Sequence, residues 1–316
     1  MRRLAALRVG SRTWSRIHRI YDSDLSWSFR HSPLAIVAGL MTLGLLLIAV
    51  FAPWISPQNP FDVSSLSLLD SELPPAWDPE GDARYLLGTD VQGRDVISTI
   101  MYGLRISLVV GFCSVMLSLA LGVSAGLAAG YAGGWIDAFI MRIADIKLSF
   151  PAILIALLVN GIARTLLPRE VFNELALWIL VFSIGISNWV QYARTVRSLT
   201  MVEKSKEYVQ AAHILGQSSL FVATRHILPN TVGPITVLAT INLALAILTE
   251  ATLSFLGVGM PPTTPSLGTL VRVGNEYILS GLWWVVIFPS ITLVLLVLAV
   301  NLLGDWLRDA LNPKLR

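Results

Sequence analysis

The sequence predicts an all-α polytopic membrane protein with six transmembrane helices. Of 316 residues, 54% are hydrophobic and only 14% are charged, and the mean hydropathy is +0.68. A soluble domain of this size carries roughly a quarter charged residues. The apolar residues also gather into long uncharged runs, and about 20 of them are enough to cross a ~30 Å hydrocarbon core. Continuous runs exclude an outer-membrane barrel, whose segments alternate over about ten residues.

The runs are Leu34–Ala52, Ile106–Ile136, Leu175–Ala193, Ile227–Thr249 and Tyr277–Gly304. A sixth, Leu148–Ala163, is short and must borrow from Ile136–Lys147, which carries four charges. The first run is too long for the core of a cleaved signal peptide, so it reads as a retained span. Residues 1–33 form a basic N-terminal segment. Its stretch "RRLAALRVGSRTWSRIHRIY" is amphipathic, and either sets topology by charge alone or lies along an anionic lipid leaflet. Residues 34–105 hold the first span and a proline-rich external loop. Residues 106–305 form the transmembrane core, with a polar insert at 194–229, and 306–316 form a C-terminal tail.

Orientation follows from Lys and Arg. With the N-terminus inside, inner segments hold 17 of the 23, and outer segments hold Arg84, Arg94, Arg105, Arg164, Arg169 and Arg272. Both termini are thereby expected in the cytoplasm. The pI near 9.2 is explained without nucleic acid. Arg142, Asp145 and Lys147 are expected to form an ion network at a helix end near the inner interface.

Motifs for chemistry are few. Gly122-Val123-Ser124-Ala125-Gly126 matches G-x-S-x-G, but a nucleophile elbow needs a strained strand-to-helix turn and this one falls within a helical run. The four histidines (His18, His31, His213 and His226) lie in predicted cytoplasmic segments, away from it. A membrane-embedded serine hydrolase is therefore only an alternative, as is a passive channel or scaffold. Neither H-E-x-x-H nor a G-x-x-x-x-G-K-[ST] phosphate loop occurs. No catalytic residue, metal site or cofactor is expected on this chain, and energy for active transport would come from another polypeptide. The lone Cys113 lies in a span, which excludes disulfides within the chain and cysteine metal clusters.

Two features of the spans leave their use open. Gly122, Gly126, Gly130 and Gly134 recur every fourth residue and give a smooth helix face, for a second subunit or for packing within the chain. Glu250 stands near the outer end of the fifth span. An ionisable group at that depth is a candidate for the translocation pathway, with helix capping as its structural alternative.

The insert "ARTVRSLTMVEKSKEYVQAAHILG" reads as a helix of good formers ending at Gly216, where glycine permits a left-handed cap. A second short helix, "QSSLFVATRHI", follows and is expected to close at Pro229. Ala211 and Ala212 leave a low surface. Two short helices joined at a glycine make a rigid knob for a partner, longer and more regular than a plain connection.

This stretch resembles the EAA loop of the membrane subunits of binding-protein-dependent ABC importers. The family pattern is E-A-A, glycine four positions after the second alanine, nine residues, then I-x-L-P. Here Gln210-Ala211-Ala212, Gly216 and Leu228-Pro229 fall in register, while Gln210 replaces the acid and His226 stands where isoleucine is usual, with Ile227 beside it. "LGTDVQGRDVISTIMYGLRISL" (87–108), "GWIDAFIMRIADIKLSFP" (134–151) and "EATLSFLGVGMPP" (250–262) are similar to the C-type permease of dipeptide, oligopeptide and nickel importers. The resemblance covers nearly the whole chain. It implies a type I ABC importer permease fold in a bacterial inner membrane. It implies as partners a second related permease, two ATP-binding cassette subunits carrying ATP and Mg²⁺, and an external solute-binding protein. It also implies that the loop docks in a groove on the ATPase and passes its closure to the spans. No histidine lies in a span and Cys113 is alone, so peptides are favoured over nickel as cargo.

Overall fold

The computed structural model describes residues 24–62 and 66–311, so the basic amphipathic stretch before Asp24 and the end of the C-terminal tail lie outside the described residues. A short α1 (Asp24–Arg30) leads into α2 (Pro33–Ile55). The Ser32 hydroxyl accepts from the Ala35 N–H, and Pro33 occupies the first turn, where a missing donor costs nothing. α3 (Val96–Ala132) begins well before the uncharged run at Ile106, because Asp95 caps it by accepting the Ser98 N–H at 2.8 Å. Its 37 residues span about 55 Å, well beyond the ~30 Å hydrocarbon core. There follow α4 (Gly134–Leu148), α5 (Ala152–Leu166), α6 (Arg169–Lys204), α7 (Glu207–Ile214), α8 (Ser219–Val222), α9 (Leu228–Phe255), α10 (Leu267–Glu276) and α11 (Trp283–Ala310).

Among the described residues, five stretches are long and apolar enough to cross a membrane: α2, α3, α6, α8 through α9, and α11. The sixth, expected to borrow from residues 136–147, is not one continuous helix. α4 and α5 meet at 89°. Pro151 disfavours a helical conformation at Phe150, so the helix breaks there. The pair still accounts for one crossing. Gly122 packs on Trp189 and Tyr192, Gly126 on Ala193 and Val196, and Gly130 on Arg197 and Thr200. Numbers rise together on both helices, so α3 and α6 run parallel. The chain must regain its starting side between them, and only α4 and α5 are available to do so.

The same contacts decide how the glycine ladder is used. At Gly122, Gly126 and Gly130 an added Cβ would overlap backbone or side chains of α6, so these three serve packing inside the chain. Gly134 has open space around it and sits with Gly133 in the turn into α4. In lipid the hydrophobic effect does not press helices together, and close backbone approach with good van der Waals packing replaces it.

α9 runs antiparallel to α3, with Gly111 against Ile247 and Ser107 against Glu250. Apolar cores form where α2, α3, α9, α10 and α11 meet, and where α3, α5, α6 and α9 meet. At the end opposite the insert, the expected external loop folds onto the bundle. Asp90 and Arg94 form a buried ion pair at 2.6 Å, Arg94 donates to the Pro262 carbonyl, and Trp284 donates to the Thr89 carbonyl.

Glu250 is fully buried inside the chain rather than facing a pathway. The Ser107 hydroxyl donates to one carboxylate oxygen at 2.8 Å and the Ser254 hydroxyl to the other at 2.7 Å. Ser107 in turn accepts the Leu267 N–H, and Ser254 accepts the Met260 N–H. The carboxylate therefore ties α3, α9, the following loop and the start of α10 into one knot. The position reads as a pathway residue in sequence because its two serine partners are distant in the chain or hidden on the same helix.

Two stability outcomes follow. Gly126→Ala should lower the thermal midpoint of the detergent-purified protein, with an overpacking cost of about 1–3 kcal/mol. Gly44→Ala, which meets open space, should leave it unchanged or slightly raised. Glu250→Leu should strand the serine hydroxyls at about 1–3 kcal/mol per unsatisfied group, whereas Glu250→Gln should stay close to the parent. Thermal unfolding of the four variants checks both.

Candidate coupling site

The insert is built from α7, a glycine turn and α8. The first expected helix breaks at Ser205 and Lys206 instead of running unbroken to Gly216. Ser205 turns its hydroxyl onto the Val202 carbonyl at 2.8 Å, and the Gln210 amide donates to the Ser205 carbonyl at 3.1 Å. Such side-chain bonds offer the backbone an alternative to the helix ladder. α7 then ends in a Schellman closure. Gly216 adopts φ +76°, its N–H reaches the His213 carbonyl at 3.0 Å, and the Gln217 N–H reaches Ala212 at 3.2 Å.

Ser218 starts α8 by accepting the Phe221 N–H. The second helix does not close at Pro229. α8 passes through one π-helical turn, Ala223–Ile227, directly into α9. Proline has no N–H and its ring crowds the carbonyl four residues back, and the wider turn ahead of it accommodates both defects. Pro229 thus marks the junction of insert and span, exposed in the first turn of α9, with Leu228 half-buried beside it.

A small core fixes the insert to the bundle. Val209, Ala212, Val222 and Ile227 are buried together against Leu127 and Tyr131 of α3. Ala212 therefore belongs to the joint, while Ala211 and Gln210 face outward. Ile227 fills the core where the family pattern has isoleucine one position earlier, and His226 bonds Gln217 at 2.9 Å. On the outer face Ile214, Leu215 and Leu220 are 86%, 78% and 75% exposed. Large apolar side chains exposed on a polar insert make this face a candidate for contact with a partner.

Sequence reasoning missed a polar latch across the joint. Lys206 donates to Glu203 at 2.6 Å, Tyr208 donates to the other Glu203 oxygen at 2.5 Å, and Asn230 donates to the Tyr208 oxygen at 2.9 Å. The latch links the end of α6, the start of α7 and the start of α9. The bond to Glu203 holds the Lys206 ammonium above its usual range, and burial followed by Glu203 pushes the Tyr208 phenol up. Both groups keep their donor protons at neutral pH. Tyr131 adds a bond between its hydroxyl and His213, and its carbonyl accepts from Lys204. The only sequence signal was a cluster of polar and aromatic side chains around a helix break.

Further along, Asp145 pairs with Arg194 at 2.5 Å and Asp137 pairs with Arg197. These bonds clamp α4 to α6, in place of the expected network among Arg142, Asp145 and Lys147. Ser124 donates to the Ala120 carbonyl at 2.7 Å within unbroken α3, the ordinary arrangement of a helical serine and no nucleophile elbow. Glu250 stands at the far end of α9 from the insert and takes no part in it.

The fold agrees with known proteins. Residues 122–316 match the family described as binding-protein-dependent transport system inner membrane component, and residues 23–75 match the N-terminal TM domain of oligopeptide transport permease C. The chain is 39% identical over 300 residues to the di/tripeptide transport system permease protein DppC of Pseudomonas aeruginosa, covering 94% of each chain. It is 42% identical over 288 residues to the dipeptide transport system permease protein DppC of Escherichia coli K12, covering 91% of each. A putative peptide transport system permease protein of Brucella suis is 38% identical, covering 88% of this chain and 86% of the relative. Among solved structures, the MetNI methionine ABC transporter in an inward-facing conformation superposes with a TM-score of 0.50 at 20% identity, covering 67% of this chain and 94% of the other. The described residues are helical without strands, as in that fold. This multi-pass membrane chain belongs to the family of inner membrane components of binding-protein-dependent transport systems, the permeases of ABC importers.

Proposed function

We propose that this permease moves di- or oligopeptides across a bacterial inner membrane, with both termini in the cytoplasm. An external solute-binding protein delivers the peptide. The chain pairs with a second related permease, and two ATP-binding cassette subunits hold ATP and Mg²⁺ and perform the hydrolysis. The observation that carries the peptide reading is identity near 40% over nine-tenths of the chain to permeases named for dipeptide transport.

The coupling residues have physical roles in this reading. Ile214, Leu215 and Leu220, presented around the Gly216 turn, enter the groove of an ATPase subunit with Gln210 and Ala211 beside them. Ala212, Leu228 and Pro229 form the joint that carries the motion into α9, and the Glu203–Tyr208–Asn230 latch carries it into α6. A rigid-body step of the ATPase thereby becomes rocking of the spans. ATP shifts the equilibrium only by its differential affinity for the two states.

Gly216→Val should abolish ATP-driven uptake while membrane insertion persists, because a β-branched residue at φ +76° breaks the turn. Uptake at the parental rate by an assembled variant contradicts the coupling role. Reporter fusions after Asp78 should be active outside and fusions after Lys206 inside, and an external signal at Lys206 overturns the orientation.

A further inference from the structure

At the end of the bundle opposite the insert, a cavity of about 420 Å³ opens between α5, α6, α10 and the loop after α9. Small-ligand sites run from about 300 to 1,000 Å³. Arg164, Arg169 and Arg272 line it, with Phe172, Asn173 and Met260, and among the described residues no carboxylate lines it. Glu170 and Glu174 lie on the same helix as Arg169 but outside the lining.

The three guanidiniums are incompletely used. Arg164 donates to the Gly257 carbonyl at 3.1 Å. Arg272 lies over Gly257, so closely that a Cβ there would stand 2.9 Å from its terminal nitrogen, and its Nε is buried without a partner. Gly257 at φ +80° leaves the space that any side chain would fill. Three cations facing one cavity repel one another. A planar oxyanion relieves that repulsion and takes up the free donors, often in a two-pronged bond.

We propose that this pocket binds the C-terminal carboxylate of a peptide as it leaves the binding protein for the pore. The proposal rests on the peptide-import reading. The Lys/Arg asymmetry puts this end outside, where substrate arrives, and a free peptide brings one carboxylate whatever its side chains. A site reading that group accepts varied sequences while rejecting chains that lack the charge.

The test is chemical protection on the assembled transporter in proteoliposomes, without binding protein. An arginine-selective dicarbonyl reagent labels Arg164, Arg169 and Arg272, and mass spectrometry follows each rate. Alanylalanine should slow labelling of all three several-fold, and its C-terminal amide should not. Arg164→Gln, an exposed position, should remove the protection at Arg272 while the complex still assembles. Equal labelling with acid and amide overturns the proposal. Protection by peptide-free binding protein alone also overturns it, because the pocket is then a docking surface for an acidic side chain. Dipeptide uptake by the same proteoliposomes is a separate readout. Its absence once binding protein and ATP are supplied overturns the import reading, while the labelling pattern without them still decides whether the pocket takes a peptide carboxylate.

Discussion

Gly122, Gly126 and Gly130 let α3 lie directly against the backbone of α6, and the rest of the architecture depends on that contact. Two helices of 37 and 36 residues are held parallel along a shared face. Parallel neighbours force a return crossing between them, so the bent pair of α4 and α5 must supply it. The contact also extends past the membrane core. At that end Leu127 and Tyr131 of α3 meet the small core of the insert, while Glu203 of α6 anchors the latch.

The insert is therefore an extension of two spans and the root of a third. Its apolar joint, its latch and its unbroken passage through the π turn into α9 give it three attachments to the bundle. In the coupling role proposed for it, a hinged loop would absorb a push from below, whereas this arrangement would pass it on. At the opposite end the Glu250 knot and the buried Asp90–Arg94 pair bind α3, α9, α10 and the outer loop with the same economy of internal polar partners. The side-chain oxygens of Glu250 stay buried there because each has a hydrogen-bond partner.

Spans and insert were legible in the sequence, since each depends on local composition: uncharged runs, and a glycine four residues after Ala212. What stayed hidden depends on contacts between distant segments. Glu250 looked like a pathway residue until Ser107, far away in the chain, stood beside it. The glycine ladder had two uses in sequence and one in space. Pro229 read as a stop because the proline rule assumes an α-helical turn ahead of it, and a π turn removes that assumption. The sixth span does borrow from the segment before it, but as a separate helix bent by 89° ahead of Pro151, a break that run length does not report.

Rigidity between the insert and α6 is the central claim, and a distance measures it. Spin labels at Gln210 and Gln191, in an otherwise cysteine-free chain with Cys113 replaced, report on it in the assembled transporter. Electron–electron resonance with and without ATP should give the same narrow distance distribution, while the distance from Gln210 to the second permease shifts. A Gln210–Gln191 distribution that moves or broadens on ATP binding contradicts the account.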